Sequence, residues 1–158
     1  MPIRQIISAL LGRKKNDAAL QLSELDARKV FENLATALPV TLKYEWDDRF
    51  GGILAAFESA DKDSILSILG TQLGQSWDSA SIGGAPASIR NAIKEFGGLT
   101  PGQHVFACGL TQEVILLGLW WPWGNGVQIS IRFVPYGTGT SNLEDDAVRT
   151  ALKGAFGL

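Results

Sequence analysis

Residues 114–133 read VILLGLWWPWGNGVQISIRF, and the character of this stretch sets the architecture of the whole chain. Pro122 interrupts the apolar run, and Asn125 with Gly126 supplies the positive φ angles of a tight hairpin, so the two halves fold back on each other as strands. After the turn, Val127, Ile129, Ile131 and Phe133 alternate with Gln128, Ser130 and Arg132, the pattern of a strand with one buried and one solvated face. Before the turn there is no such relief. Ile115, Leu117, Leu119 and Trp121 point one way, and Val114, Leu116, Gly118 and Trp120 point the other. A strand apolar on both faces needs cover on both. Either layers of the same chain enclose it, or one face is an apolar surface for a partner chain, a second copy or an apolar ligand. On the latter reading the contact residues are Leu117, Leu119, Trp120, Trp121 and Trp123. Trp123 leads them, because it sits in the turn with few neighbours and joins a large apolar area to a polar N–H.

Residues 103–109 precede the hairpin as a further strand, so 103–109, 113–121 and 127–134 form a three-stranded meander. Upstream, residues 24–38 carry Val30, Phe31, Leu34 and Leu38 at helical spacing behind Ser23 and Asp26, arranged as a capping box, and Pro39 stops the helix. Residues 40–46 alternate Val40, Leu42, Tyr44 and Trp46 with polar residues, the period of a strand. After the turn DDRFGG at 47–52, residues 53–59 return as a second strand, although their alanines also allow a helix. A helix follows over 61–73, with Ile65, Leu66, Leu69 and Leu73 inward, and GQSWDSASIGGA (74–85) reads as a long loop. Pro86 starts another helix with Ile89, Ile93 and Phe96 inward and Gly97 at its C-cap. A last helix begins at Ser141, with Glu144 completing a capping box, and buries Leu143, Ala147, Val148, Ala151, Leu152 and Phe156. The order predicts one α+β domain over 23–158, with a mainly antiparallel sheet of about five strands packed by helices.

The 158 residues suit a single domain able to bury roughly 70% of its unfolded surface. Cys108, the only cysteine, cannot pair within the chain and suits a reducing compartment, so a cytoplasmic location is expected. No uninterrupted apolar run reaches the ~18 residues of a membrane-spanning helix. Four of the 14 bases (Arg4, Arg13, Lys14 and Lys15) fall in residues 1–15, which hold no acid, leaving ten bases against all 16 acids in the rest. An acidic body argues against nucleic acid as a partner. Within that basic segment Ile3, Ile6, Ile7, Leu10 and Leu11 make an apolar stripe, and Arg13, Lys14 and Lys15 follow Gly12. Such a helix docks on the body, on a second subunit or on an anionic membrane surface, and residues 16–22 read as a linker to the domain.

Catalytic signatures are weak. His104 and Cys108 would share one face of a strand but stand ~13 Å apart, too far for a nucleophilic pair or for shared metal ligation, and two ligands fall short of a three- or four-ligand zinc site. Gly83, Gly84, Ser88 and Arg90 open a helix and could receive an anion, yet match neither the P-loop nor the dinucleotide fingerprint. The acids Asp47, Asp48, Glu144, Asp145 and Asp146 read as turn and helix-start residues. No cofactor or metal is implied. These observations favour a non-enzymatic protein-binding or adaptor domain of bacterial type that acts, and potentially dimerises, through the apolar hairpin. In broad composition such a domain resembles secretion chaperones and toxin-neutralising immunity proteins. The alternatives are a peripheral membrane protein anchored by residues 1–15, and a small-molecule-binding domain or enzyme with a pocket lined by Trp46, Trp77, Phe106 and Trp120.

Overall fold

A computed structural model describes residues 27–110, 114–137 and 146–158. Among these, four helices pack on a six-stranded antiparallel sheet, as expected of an α+β domain. The described part of helix α1 covers residues 27–37. There follow β1 (Tyr44–Asp47), β2 (Gly52–Glu58), α2 (Lys62–Leu73), β3 (Gln75–Asp78) and α3 (Ala87–Glu95). Strands β4 (His104–Gly109), β5 (Val114–Pro122) and β6 (Gln128–Gly137) then lead to α4 (Asp146–Ala155). The sheet order is β1-β2-β6-β5-β4-β3, and every neighbouring pair is antiparallel. The basic segment 1–15, the linker 16–22 and the capping residues Ser23, Asp26 and Ser141 lie outside the described residues.

Both faces of β5 are enclosed by the same chain. Val114, Leu116 and Trp120 face a large core with Phe31 and Leu34 of α1, Ile65 and Leu69 of α2, and Val148 and Leu152 of α4. Leu117 and Leu119 face a smaller core with Ile89, Ala92 and Ile93 of α3 and Val105 and Ala107 of β4. Three helices thus lie on one side of the sheet and one on the other, and the reading of β5 as a strand enclosed within its own chain is the one observed. On the larger side α4 closes the β1 end. Its Phe156 meets Tyr44 edge-on at 4.7 Å between centroids and stacks on Phe133 at 5.5 Å, while the Lys153 ammonium lies 4.3 Å from the Trp46 ring centre.

Two elements depart from the sequence reading. Strand β3 falls inside the expected loop: its four residues, QSWD, carry one apolar side chain and no periodic signal, and the strand forms only by pairing along β4. Strand β1 starts later than expected, because Leu42 N–H bonds to the Pro39 carbonyl and turns the chain, leaving Val40 99% exposed. The alternation on 40–46 is therefore used only from Leu42 onward. Strand β2 is a strand, and the choice between strand and helix for its alanines is settled by pairing with β1 on one side and β6 on the other.

Glycine is needed at Gly52 for lack of room. A Cβ there would collide with the Phe133 carbonyl oxygen, a backbone atom that cannot step aside. At Gly118 an added Cβ would come within 3.0 Å of Leu73 Cδ1, the end of a flexible side chain. Gly52→Ala is therefore expected to cost about 1–3 kcal/mol of unfolding free energy, and Gly118→Ala clearly less. Denaturant titration of both variants checks this, and an unchanged midpoint for Gly52→Ala would contradict the close β2–β6 approach.

Candidate functional site

Among the described residues, the tip of the β5–β6 hairpin is where two large apolar side chains stand in solvent together. Trp123 is 45% exposed and Val127 53% exposed, two turn residues on either side of Gly126. The turn is held tightly. Trp123 N–H donates to the Gln128 carbonyl (2.8 Å) and Gly126 N–H to the Trp123 carbonyl (3.2 Å). Asn125 Oδ1 accepts from the N–H groups of Val127 (2.9 Å) and Gln128 (3.1 Å), and Asn125 Nδ2 donates to Gln128 Oε1. The end of β2 adds an outside brace: Ser59 N–H donates to the Val127 carbonyl (2.6 Å) and its hydroxyl to the Gly126 carbonyl (3.3 Å). The turn differs from the expected type in one respect. Gly126 has φ +71°, but Asn125 keeps a negative φ, because its side chain caps the turn instead of its backbone entering the left-handed region.

Other residues of the predicted contact surface are elsewhere. Leu117, Leu119 and Trp120 are buried under the chain's own helices, and Trp120 packs against Phe57 at 5.4 Å. They are core residues, and of the five expected contact residues only Trp123 is exposed. Trp121 is half-buried on the α3 face, and its environment is the least foreseen part of the molecule. The Arg132 guanidinium lies 4.8 Å from the Phe50 ring centre and 4.9 Å from that of Trp121, beside both rings, whose own centres are 5.7 Å apart. Its Nε donates to Asp47 Oδ2 (3.2 Å), and Nη1 to Ser130 Oγ (3.4 Å). The β6 face expected to be solvated is thus covered here: Ser130 is buried and the Arg132 side chain only 12% exposed. Phe96 and Tyr136 extend the aromatic layer toward α3. The Trp121 indole N–H is buried without a hydrogen-bond partner among the described residues.

Asp47, read from the sequence as a turn residue, ends β1 in this cluster. Burial works to raise its pKa, but hydrogen bonds from Arg49 and Arg132 outweigh it and hold the carboxyl below the usual range. Arg49 is a weaker partner, since its side chain is 74% exposed.

The remaining candidates separate in space. Trp46 and Trp77 lie on β1 and β3, the two opposite edges of the sheet, and pack into different cores, so with Phe106 and Trp120 they cannot line one pocket. His104 and Cys108 share a β4 face with Phe106 between them, as spaced. Burial pushes the Cys108 thiol up to about 11, so it is not a thiolate at neutral pH. Among the described residues no group of three or more His, Cys, Asp or Glu could hold a metal ion, and no helix is long and apolar enough to cross a membrane. Gly83 and Arg90 line an open cleft beside α3, whereas Gly84 and Ser88 are not in its wall. Ile3, Ile6, Ile7, Leu10, Leu11, Arg13, Lys14 and Lys15 lie outside the described residues. No protein-family model, curated protein or solved structure matches the chain.

Arg132→Leu strips Asp47 of its buried partner and is expected to cost roughly 2–4 kcal/mol. Because the folded carboxyl is held low, the stabilisation from Asp47 is complete above its ordinary pKa of ~3.9 and is lost as pH falls through the lower folded value. The stability gap between the parent and Asp47→Asn should therefore narrow below about pH 4. Urea unfolding at stepped pH tests both; a gap that widens on acidification would contradict the assignment.

Proposed function

We propose that this chain is a protein-binding domain whose contact is the tip of the β5–β6 hairpin. The observation that carries the reading is the pairing of exposure with order: Trp123 and Val127 stand out in solvent on a turn whose backbone and Asn125 side chain are fixed by hydrogen bonds. An apolar side chain on a backbone already held in place forfeits less entropy on binding than one on a floppy loop. A tryptophan so presented fits a partner that offers an apolar slot with an acceptor for its indole N–H. The tip itself, from Pro122 to Val127, has no charged residue, which suits an apolar slot better than a phosphate-rich or anionic surface. No buried core residue need move for the contact to form.

Binding of this kind predicts a separation between stability and recognition. Trp123→Ala should leave urea unfolding within about 0.5 kcal/mol of the parent, as for an exposed residue. The same change should weaken the captured complex by roughly 2 kcal/mol or more, about 30-fold. Capture from a native lysate by the parent, Trp123→Ala and Val127→Ser, with sedimentation of each alone, reads both quantities. A protein retained by the parent and lost by the variants supports the reading. Equal retention by all three, or a parent that simply dimerises through the tip, contradicts it.

A further inference from the structure

Beside α3, on the face of the sheet that carries only one helix, an open cleft of about 480 Å³ lies between the helix, the turn at Ile82–Gly84 and the segment that follows the helix. Its volume is within the range of small-molecule sites. The floor is Ile93, a buried member of the smaller core, and half-buried Ile82 and Leu99 make the sides. The two polar side chains in the wall are both cations, Arg90 and Lys94, one helical turn apart. No carboxylate lines the cleft, and neither cation has an ion-pair partner among the described residues. In an acidic protein, two like charges at i and i+4 with no neutralising acid cost a few tenths of a kcal/mol in the helix.

A structural reason accounts for part of this arrangement. Lys94 sits in the last turn, where a cation complements the helix dipole, and Arg90 Nε donates to the Ala85 carbonyl (3.1 Å). Neither reason explains why apolar side chains converge beneath the two charges, nor why the mouth is left open. Gly83, Gly97 and Gly98 line it, and a Cβ added at any of them would meet nothing within 4 Å. Three of the last four carbonyls of the helix are occupied, which lessens its repulsion of an anion: Phe96 N–H bonds to Ala92, Gly98 N–H to Ile93 and Gly97 N–H to Lys94.

We propose that this cleft binds a small amphipathic anion, an apolar ring or chain seated on Ile93 between Ile82 and Leu99, with its carboxylate, sulfonate or phosphate head between Arg90 and Lys94. The site is separate from the hairpin tip and does not depend on it. The apolar body supplies area, and the two donors supply orientation and choice of charge.

Two fluorescent probes with the same rings test it on the full chain: 8-anilinonaphthalene-1-sulfonate, and N-phenyl-1-naphthylamine, which lacks the sulfonate. Both are excited directly, beyond tryptophan absorption. The parent should bind the sulfonate at one saturable site, and Lys94→Gln and Arg90→Gln should each weaken it about five- to tenfold while changing the neutral probe less than twofold. Gly83→Trp, which fills open space at a residue without a positive φ, should abolish that site for both probes. Trp123→Ala should change neither. Because the Lys94 side chain is exposed and makes no hydrogen bond or ion pair to the described residues, its variant stays informative if Arg90→Gln is destabilised. Sulfonate affinity unchanged in Lys94→Gln, parallel loss of both probes in that variant, or full binding by Gly83→Trp would each overturn the proposal.

Discussion

Everything in this fold follows from the burial of β5 on both sides. Its nine residues carry apolar side chains or glycine up to Trp121, so neither face can be left to water, and the chain answers with helices above and below the sheet. Burying a Leu, Ile or Trp side chain is worth roughly 1.5–3 kcal/mol each, and Leu116, Leu117, Leu119 and Trp120 are all within the two cores. The pairing of β5 with β4 on one side and β6 on the other spends its backbone groups as fully as its side chains. What the strand cannot enclose is its own end, where Pro122 closes it and Trp123 passes into the turn.

The two coverings are unequal, and the inequality places the candidate sites. Three helices fill one face. The other has the nine-residue α3, and beside it lie side chains from elsewhere in the chain, among them Phe50 from the β1–β2 turn and Trp121, whose rings meet at 5.7 Å, and Arg132 next to both, tied down by Asp47. An arginine suits this place because its flat guanidinium can stack on rings and still bond a carboxylate at its edge. The same thin layer leaves the cleft between α3 and the turn at Ile82–Gly84 unfilled. Thus, among the described residues, the larger core lies on the crowded face, while the thinner face and the hairpin tip hold the two surfaces proposed for a ligand and a partner.

Much of the architecture was legible because it is written in local periodicity. The meander, the helix between Pro86 and Gly97, and the inward positions Ile65, Leu69, Ile89 and Ile93 all follow from spacing and caps. Strand β3 was not legible: QSWD has no alternation, and only its partner β4 makes it a strand. Nor was the Asp47–Arg132 pair, whose members lie 85 residues apart and are joined by the sheet alone. The sequence could place Trp120 and Trp121 on opposite faces but could not say what covers them; the larger core encloses the first, and Phe50 and Arg132 lie against the second. Trp123 was readable as exposed because it lies past the proline. Gly83 and Arg90 stood out as an anion motif at a helix start, whereas the cleft they share is formed toward the other end of that helix, with Lys94 and not with Gly84 or Ser88.

Hydrogen exchange of the intact chain, followed across a wide range of protein concentration, separates a strand covered by its own chain from one that waits for a second molecule. If β5 is enclosed as described, its amides from Ile115 to Trp121 exchange only on global unfolding, with the same protection in dilute and concentrated solution. Protection of those amides that weakens on dilution, while the rest of the sheet stays protected, would show that one face of β5 is covered by another copy and would contradict the enclosure on which the hairpin-tip reading rests.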